Sequence, residues 1–219
     1  MRKPIMILVL LALLGAGGLL LATGDRKPVV RPGNATRMHA ADGPVRGILY
    51  AQPFALEQPA VHWWRKERAS YSAGWLVVLE VDPALVQPTA RAEPVLYVGH
   101  ETAERFNHGW KSGRVVAIVP SPAGADGFPA LDLSTAKVWF GAPALPEQVD
   151  AGALEQAFAA AEDALPFSAA EISEARAYGG TPIRFATRGE LDEQAARLVL
   201  EHAPEERDLA EGILRPREH

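Results

Sequence analysis

Hydrophobic and polar positions divide the chain into stretches of different period. Arg2 and Lys3 precede an uncharged run from Pro4 to Gly24 dominated by Leu, Ile, Val, Ala and Gly. About 20 apolar residues are enough to span a bilayer. Residues 1–24 therefore predict an N-terminal hydrophobic helix, either a cleaved signal peptide or a signal anchor that holds residues 5–24 in a membrane. Ala22, Thr23 and Gly24 supply small residues for a cleavage site. Residues 25–44 lose apolar periodicity and carry Pro28, Pro32, Gly33, Gly43 and Pro44, the composition of a flexible tether.

From residue 45 to 145 the period is that of strands. Gly47 to Gln52 is a first candidate, ended by Pro53. Gly74 to Val81, GWLVVLEV, is the strongest strand signal. Alternation places Trp75, Val77, Leu79 and Val81 on a core face, and Leu76, Val78, Glu80 and Asp82 on a face that emerges into solvent near its end. Val95 to Val98 and Val115 to Val119 are short, charge-free and β-branched, as expected of strands covered on both faces. Between them a short helix is predicted, opened by His100 or Thr102 and closed by Gly109, with Glu101 and Arg105 paired along it. The link is equally compatible with a parallel crossover and an antiparallel return. Lys137 to Phe140 is a further strand, preceded by a Pro/Gly-rich loop over 121–130.

From residue 146 to 219 the period becomes helical. Pro146 opens a first helix with an apolar stripe of Val149, Ala153, Ala157, Ala161 and Leu165, ending near Pro166. Ser168 with Glu171, and Thr187 with Glu190, have capping-box spacing. They predict helices from Ser168 to Tyr178 and from Thr187 to Pro204, with an edge strand at 182–186 between them. The whole is expected to be one α+β domain over 45–219, a small mixed or antiparallel sheet with C-terminal helices packed on it.

Composition removes some chemistry from this picture. Cysteine is absent, so disulfides, zinc–thiolate sites and thiol nucleophiles are excluded. Charge is uneven: residues 25–145 carry 13 Lys and Arg against 11 Asp and Glu, whereas 146–219 carry 7 against 16. Nucleic acid is disfavoured as a partner, because phosphate binding needs clustered positive charge. Phosphate loops, dinucleotide fingerprints, H-E-x-x-H and G-x-S-x-G elbows do not occur, and no cofactor is expected.

Four groups of residues remain as candidates. His100, Glu104 and His108 are spaced by four, so a helix would align them as catalytic or metal-binding groups. The two histidines would then stand about 12 Å apart, too far to share one ion. A metal site would have to combine Glu104 and His108 with a distant ligand such as His62. Trp63, Trp64 and Arg65, with Tyr71 nearby, form an aromatic and basic group suited to a ligand or partner surface. Glu80 and Asp82 are paired carboxylates on one strand face, a weak match to acid–base chemistry. The acidic helices offer a docking surface for a basic partner.

Together these features predict an exported domain of the cell envelope. It is either anchored in the inner membrane with its folded part outside the cytoplasm, or periplasmic or secreted after cleavage. The expected role is binding of a protein or envelope component without catalysis. An envelope hydrolase using His62, Glu104 and His108 is the first alternative, and an acidic accessory subunit of a membrane complex the second.

Overall fold

The structure, a computed structural model, describes residues 44–61, 70–84, 86, 93–141, 155, 156, 158, 159, 161, 166–177 and 181–215. The N-terminal hydrophobic segment, the tether, His62, Trp63, Trp64, Arg65 and most of the helix predicted from Pro146 lie outside them. Among the described residues no helix is long and apolar enough to cross a membrane.

The protein is built on β2 (Ser70–Val81), the uncharged core of which is hydrophobic on both faces. Strand β1 (Val45–Val61) lies antiparallel on one side of it and β6 (Arg114–Ser121) antiparallel on the other. The two-residue β5 (Glu104–Arg105) extends the sheet beyond β6, and β8 (Ile183–Phe185) closes the other edge parallel to β1. The order is β5-β6-β2-β1-β8. A second sheet, ordered β4-β3-β7, is made from β3 (Val95–Val98), β4 (Glu101–Thr102) and β7 (Val138–Gly141).

Alternation along β2 sorts its side chains into two cores. Trp75, Val77, Leu79 and Val81 join Val115, Ala117 and Val119 of β6. This layer is completed by Leu96 and Val98 of β3, Val138 of β7, and Phe167 and Ile172 at helix α1 (Ala169–Glu174). Leu76 and Val78 point the other way and meet Val116, Ile118 and helix α2 (Arg188–His202) through Leu191, Ala195, Leu198 and Val199. Both faces are thus core. Solvent is reached only at the strand end, where Glu80 and Asp82 are half-buried. Gly74 permits the close approach across this second face, since a Cβ there would lie 2.4 Å from the Val119 carbonyl oxygen and 2.7 Å from Cζ of Phe54.

Several local predictions are overturned. No helix forms between β3 and β6. Gly99, with φ of 59°, turns the chain so that Glu101 and Thr102 pair back onto Val98 and Tyr97. The Ala103 amide donates to the Leu96 carbonyl at 2.9 Å, and Glu104 and Arg105 then cross to β6 in the other sheet. The two apolar strands therefore belong to different sheets, and neither a crossover nor a simple return connects them. A two-turn helix offers little reward for its costly nucleation, while strand pairing satisfies these backbone groups on both sides. Arg105 consequently pairs with Glu93, at 3.1 Å, rather than along a helix with Glu101.

Pro53 does not end β1; it sits opposite Trp75, one residue before β8 joins at Phe54. A proline at such a sheet margin disturbs the ladder least. Both capping boxes are present, at Ser168 with Glu171 and at Thr187 with Glu190. Helix α1 nevertheless stops at Glu174, because Arg176 bridges to Tyr50 and its amide donates to the Leu49 carbonyl at 3.3 Å. Beyond α2, Pro204 starts a 3-10 turn over Pro204–Glu206, which leads into α3 (Arg207–Leu214).

Candidate functional site

The corner where the chain passes from β4 to β5 faces the start of α2 and one side of α3. Between them is a cleft of about 710 Å³. Its floor carries Glu104 and Arg105, its far wall Arg188 and Asp192, and its apolar side Phe106, Leu209 and Ile213. Leu209 and Ile213 are one helical turn apart on α3 and remain 37% and 38% exposed.

Glu104 reaches this place because β5 is too short to carry it out of the core, and it is only 7% exposed. Its neutralising partner comes from the far end of the fold. Arg188 is the first residue of α2, placed by the capping box at Thr187 and Glu190. Its guanidinium donates through Nη2 to Glu104, through Nη1 to the Tyr71 hydroxyl and through Nε to Asp192 Oδ1 at 2.5 Å. Burial alone would lower the affinity of Arg188 for its proton. The hydrogen bond and charge of Glu104 outweigh that and hold its pKa above the ordinary value. Burial, reinforced by the negative charge of Glu104, pushes the Tyr71 phenol above its ordinary value, so it stays protonated at neutral pH.

A second ionic group closes the other end. Glu93 Oε2 accepts from Arg105 Nη2 at 3.1 Å and lies 3.2 Å from His108 Nδ1. Arg105 also donates to the His108 carbonyl at 3.2 Å, and burial lowers its pKa against the opposing pull of Glu93. The His108 ring stacks on Trp110 at 3.8 Å between centroids.

The loop that presents His108 is held from beneath by Glu206. One carboxylate oxygen accepts from the Gly109 amide at 2.9 Å, Ser112 Oγ at 2.9 Å and Asn107 Nδ2 at 3.3 Å. The other accepts from the His108 amide at 2.8 Å. Gly109 supplies the positive φ, 86°, that this approach of backbone to carboxylate requires. A buried carboxylate among several donors is an anchor, and it fixes α3 against the cleft floor.

The sequence candidates are distributed unequally over this site. Glu104 and His108 line the same cleft, and Tyr71 is joined to it through Arg188. His100 lies apart in the β3–β4 turn, its ring 4.4 Å from that of Phe158 and its Nε2 3.7 Å from Glu155. Glu80 and Asp82 are engaged elsewhere, with Arg114 at 2.7 Å and Arg46 at 2.9 Å. The hydrogen bond from Arg46 holds Asp82 below the usual carboxylate range. Among the described residues no group of three or more His, Asp or Glu is arranged to hold a metal ion.

Sequence reasoning missed Glu93, Arg188, Asp192 and Glu206. Only the i,i+4 spacing of Arg188 and Asp192 was available as a local signal. The long-range partners had none. No family model, curated protein or solved structure matches the chain.

Proposed function

We propose that this chain is a membrane-tethered, extracytoplasmic binding domain that recognises a protein or envelope component in the cleft between β5 and α3, without catalysing a reaction. The observation that carries this reading is the commitment of the cleft's charged groups. Arg188 is shared by Glu104, Asp192 and Tyr71, and Glu93 is shared by Arg105 and His108. Groups tied to one another in this way frame a bound molecule and discriminate by shape and charge. The exposed side chains of Leu209 and Ile213 add an apolar wall. The N-terminal run of uncharged residues supports the tether.

The test is a photoreactive amino acid placed at Ile213 of the full chain, expressed in a bacterial host and irradiated in intact spheroplasts. The expected outcome is a specific adduct that Leu209→Asp abolishes, on a full-length chain digestible by external protease. A protein protected from that protease, or an adduct pattern unchanged by Leu209→Asp, rejects the reading. Meeting of Glu104 and His108 in one cleft keeps the hydrolase alternative in view. Metal content of the purified full chain and the effect of Glu104→Gln on it decide that alternative.

A further inference from the structure

Helix α3 forms one wall of the cleft, yet little apolar packing holds it there. It is eight residues long, and Ala210 is its one buried side chain. Gly212, in the helix interior, is not demanded by packing, since a Cβ there would meet nothing within 4 Å. A glycine at such a place weakens a helix relative to alanine. A segment with few buried apolar contacts belongs to the part of a fold that opens locally, at less free energy than global unfolding.

Glu206 joins this helix to the loop that carries His108. It occupies the N-cap position of α3 and is 4% exposed. Its carboxylate accepts from the His108 and Gly109 amides, at 2.8 and 2.9 Å, and these two amides have no other acceptor among the described residues. Asn107 and Ser112 also donate to Glu206, but each reaches the Arg114 carbonyl of β6 as well, at 2.7 and 3.1 Å. Unwinding the first turn of α3 frees the backbone torsions that aim the Glu206 carboxylate. His108 and Gly109 then lose their acceptor, and the His108 ring its fixed place beside Glu93. From this geometry we infer that α3 is a hinged wall of the cleft. The helix and the backbone of His108 and Gly109 open as one unit while the rest of the fold stays closed, and Glu206 is the clasp between them. The inference goes beyond the reading of the cleft as a binding site and holds whatever the cleft takes.

The test is amide hydrogen exchange of the purified full chain, followed by NMR over a series of low urea concentrations. Amides 211–214 of α3 and those of His108 and Gly109 should share one opening free energy and one urea slope. Both values should be smaller than for Ala195, Leu198 and Val199 in α2. Gly212→Ala fits the open space and favours the helix, so it should raise protection in α3 roughly two- to fivefold, and at His108 and Gly109 by the same factor. Glu206→Gln keeps the shape of the clasp but turns an N–H toward donors. It should speed exchange at His108 and Gly109 roughly tenfold or more and abolish their response to Gly212→Ala. Different urea slopes for the helix and the two loop amides, or a Gly212→Ala effect confined to α3, overturn the coupling. Slopes equal to those of α2 overturn the hinge, since every segment would then open only on global unfolding. The unaltered protein and Gly212→Ala decide the matter even where Glu206→Gln disturbs folding.

Discussion

The two faces of β2 are equally buried and differently used. On the face toward the small sheet, Trp75, Val77, Leu79 and Val81 meet other apolar side chains, and the Trp75 indole donates to the Leu131 carbonyl at 2.8 Å. On the helix-covered face, Leu76 and Val78 lie in an equally dry layer. Toward Tyr71, however, that layer runs into Arg188, Glu104 and Asp192. The difference follows from what covers each face. A helix start lies on each face, but in α1 the first-turn Glu171 is turned back onto its own cap at Ser168, whereas α2 carries Arg188 across to Glu104 and Tyr71. Both faces bury apolar side chains, and only one end of the second carries an ionic group to the cleft.

The sharpest way to break this comparison is to remove Arg188. In Arg188→Met, Glu104 is left as a buried carboxylate with no ion partner, and the fold should lose about 3–5 kcal/mol in urea denaturation. The double variant Glu104→Leu with Arg188→Met removes both charges and should return to within about 1 kcal/mol of the original protein. That pairing of outcomes would mean that the ionic group adds no net stability to the fold over an apolar replacement. A single variant as stable as the original would instead mean that solvent screens the pair, as at an ordinary surface.

A smaller effect tests the equality of the two dry layers. Val77→Ala and Val78→Ala each delete two buried carbon atoms from opposite faces of the same strand, and each should cost about 2 kcal/mol. The side chains are 1% and 0% exposed, so neither site has water to fill the gap. Were Val78 on a wet face, its truncation would change stability by less than about 0.5 kcal/mol.

How far the sequence allowed these distinctions depended on how local their causes are. Both capping boxes, the β8 edge strand, the β7 strand and the α+β class were legible, because each rests on residues within a few positions of one another. The second face of β2 was legible as far as its emergence at Glu80 and Asp82, which the structure places half-buried at the strand end, but nothing local showed that α2 covers Leu76 and Val78. The helix predicted over His100 to His108 failed for a related reason. Its spacing of ionisable residues was real, but pairing back onto Leu96 and Val98 and then across to Val116 decided the backbone, and a helical period carries no sign of that choice. Glu104 and His108 were singled out for metal or acid–base chemistry on that helical spacing. They do share a cleft, brought there by two short strands and the Glu206 anchor. Arg188 and Glu206 were invisible as site residues, since Glu104 lies more than 80 residues from the first and the amides of His108 and Gly109 more than 80 from the second, and the i,i+4 pairing of Arg188 with Asp192 is ordinary for a helix surface.

The smallest expected effect concerns the far end of α2, where the helix-covered face again encloses a polar group. His202 is largely buried, its Nε2 has no hydrogen-bond partner among the described residues, and Glu201 lies 3.9 Å away. Burial lowers its pKa, aided by the charges of Arg176 and Arg114 and opposed by Glu201. The unfolded chain therefore binds the proton more readily than the folded one. The contribution of His202 is fully present above about 6.5, the ordinary imidazole value, and is lost as pH falls through the lower folded value. Urea midpoints measured between pH 7 and pH 5 should fall more steeply for the original protein than for His202→Gln, which has nothing to titrate in that window. Parallel slopes would show that this end of the helix is as well hydrated as the cleft end is closed, and the helix-covered face would then be polar by access to water instead of by enclosure.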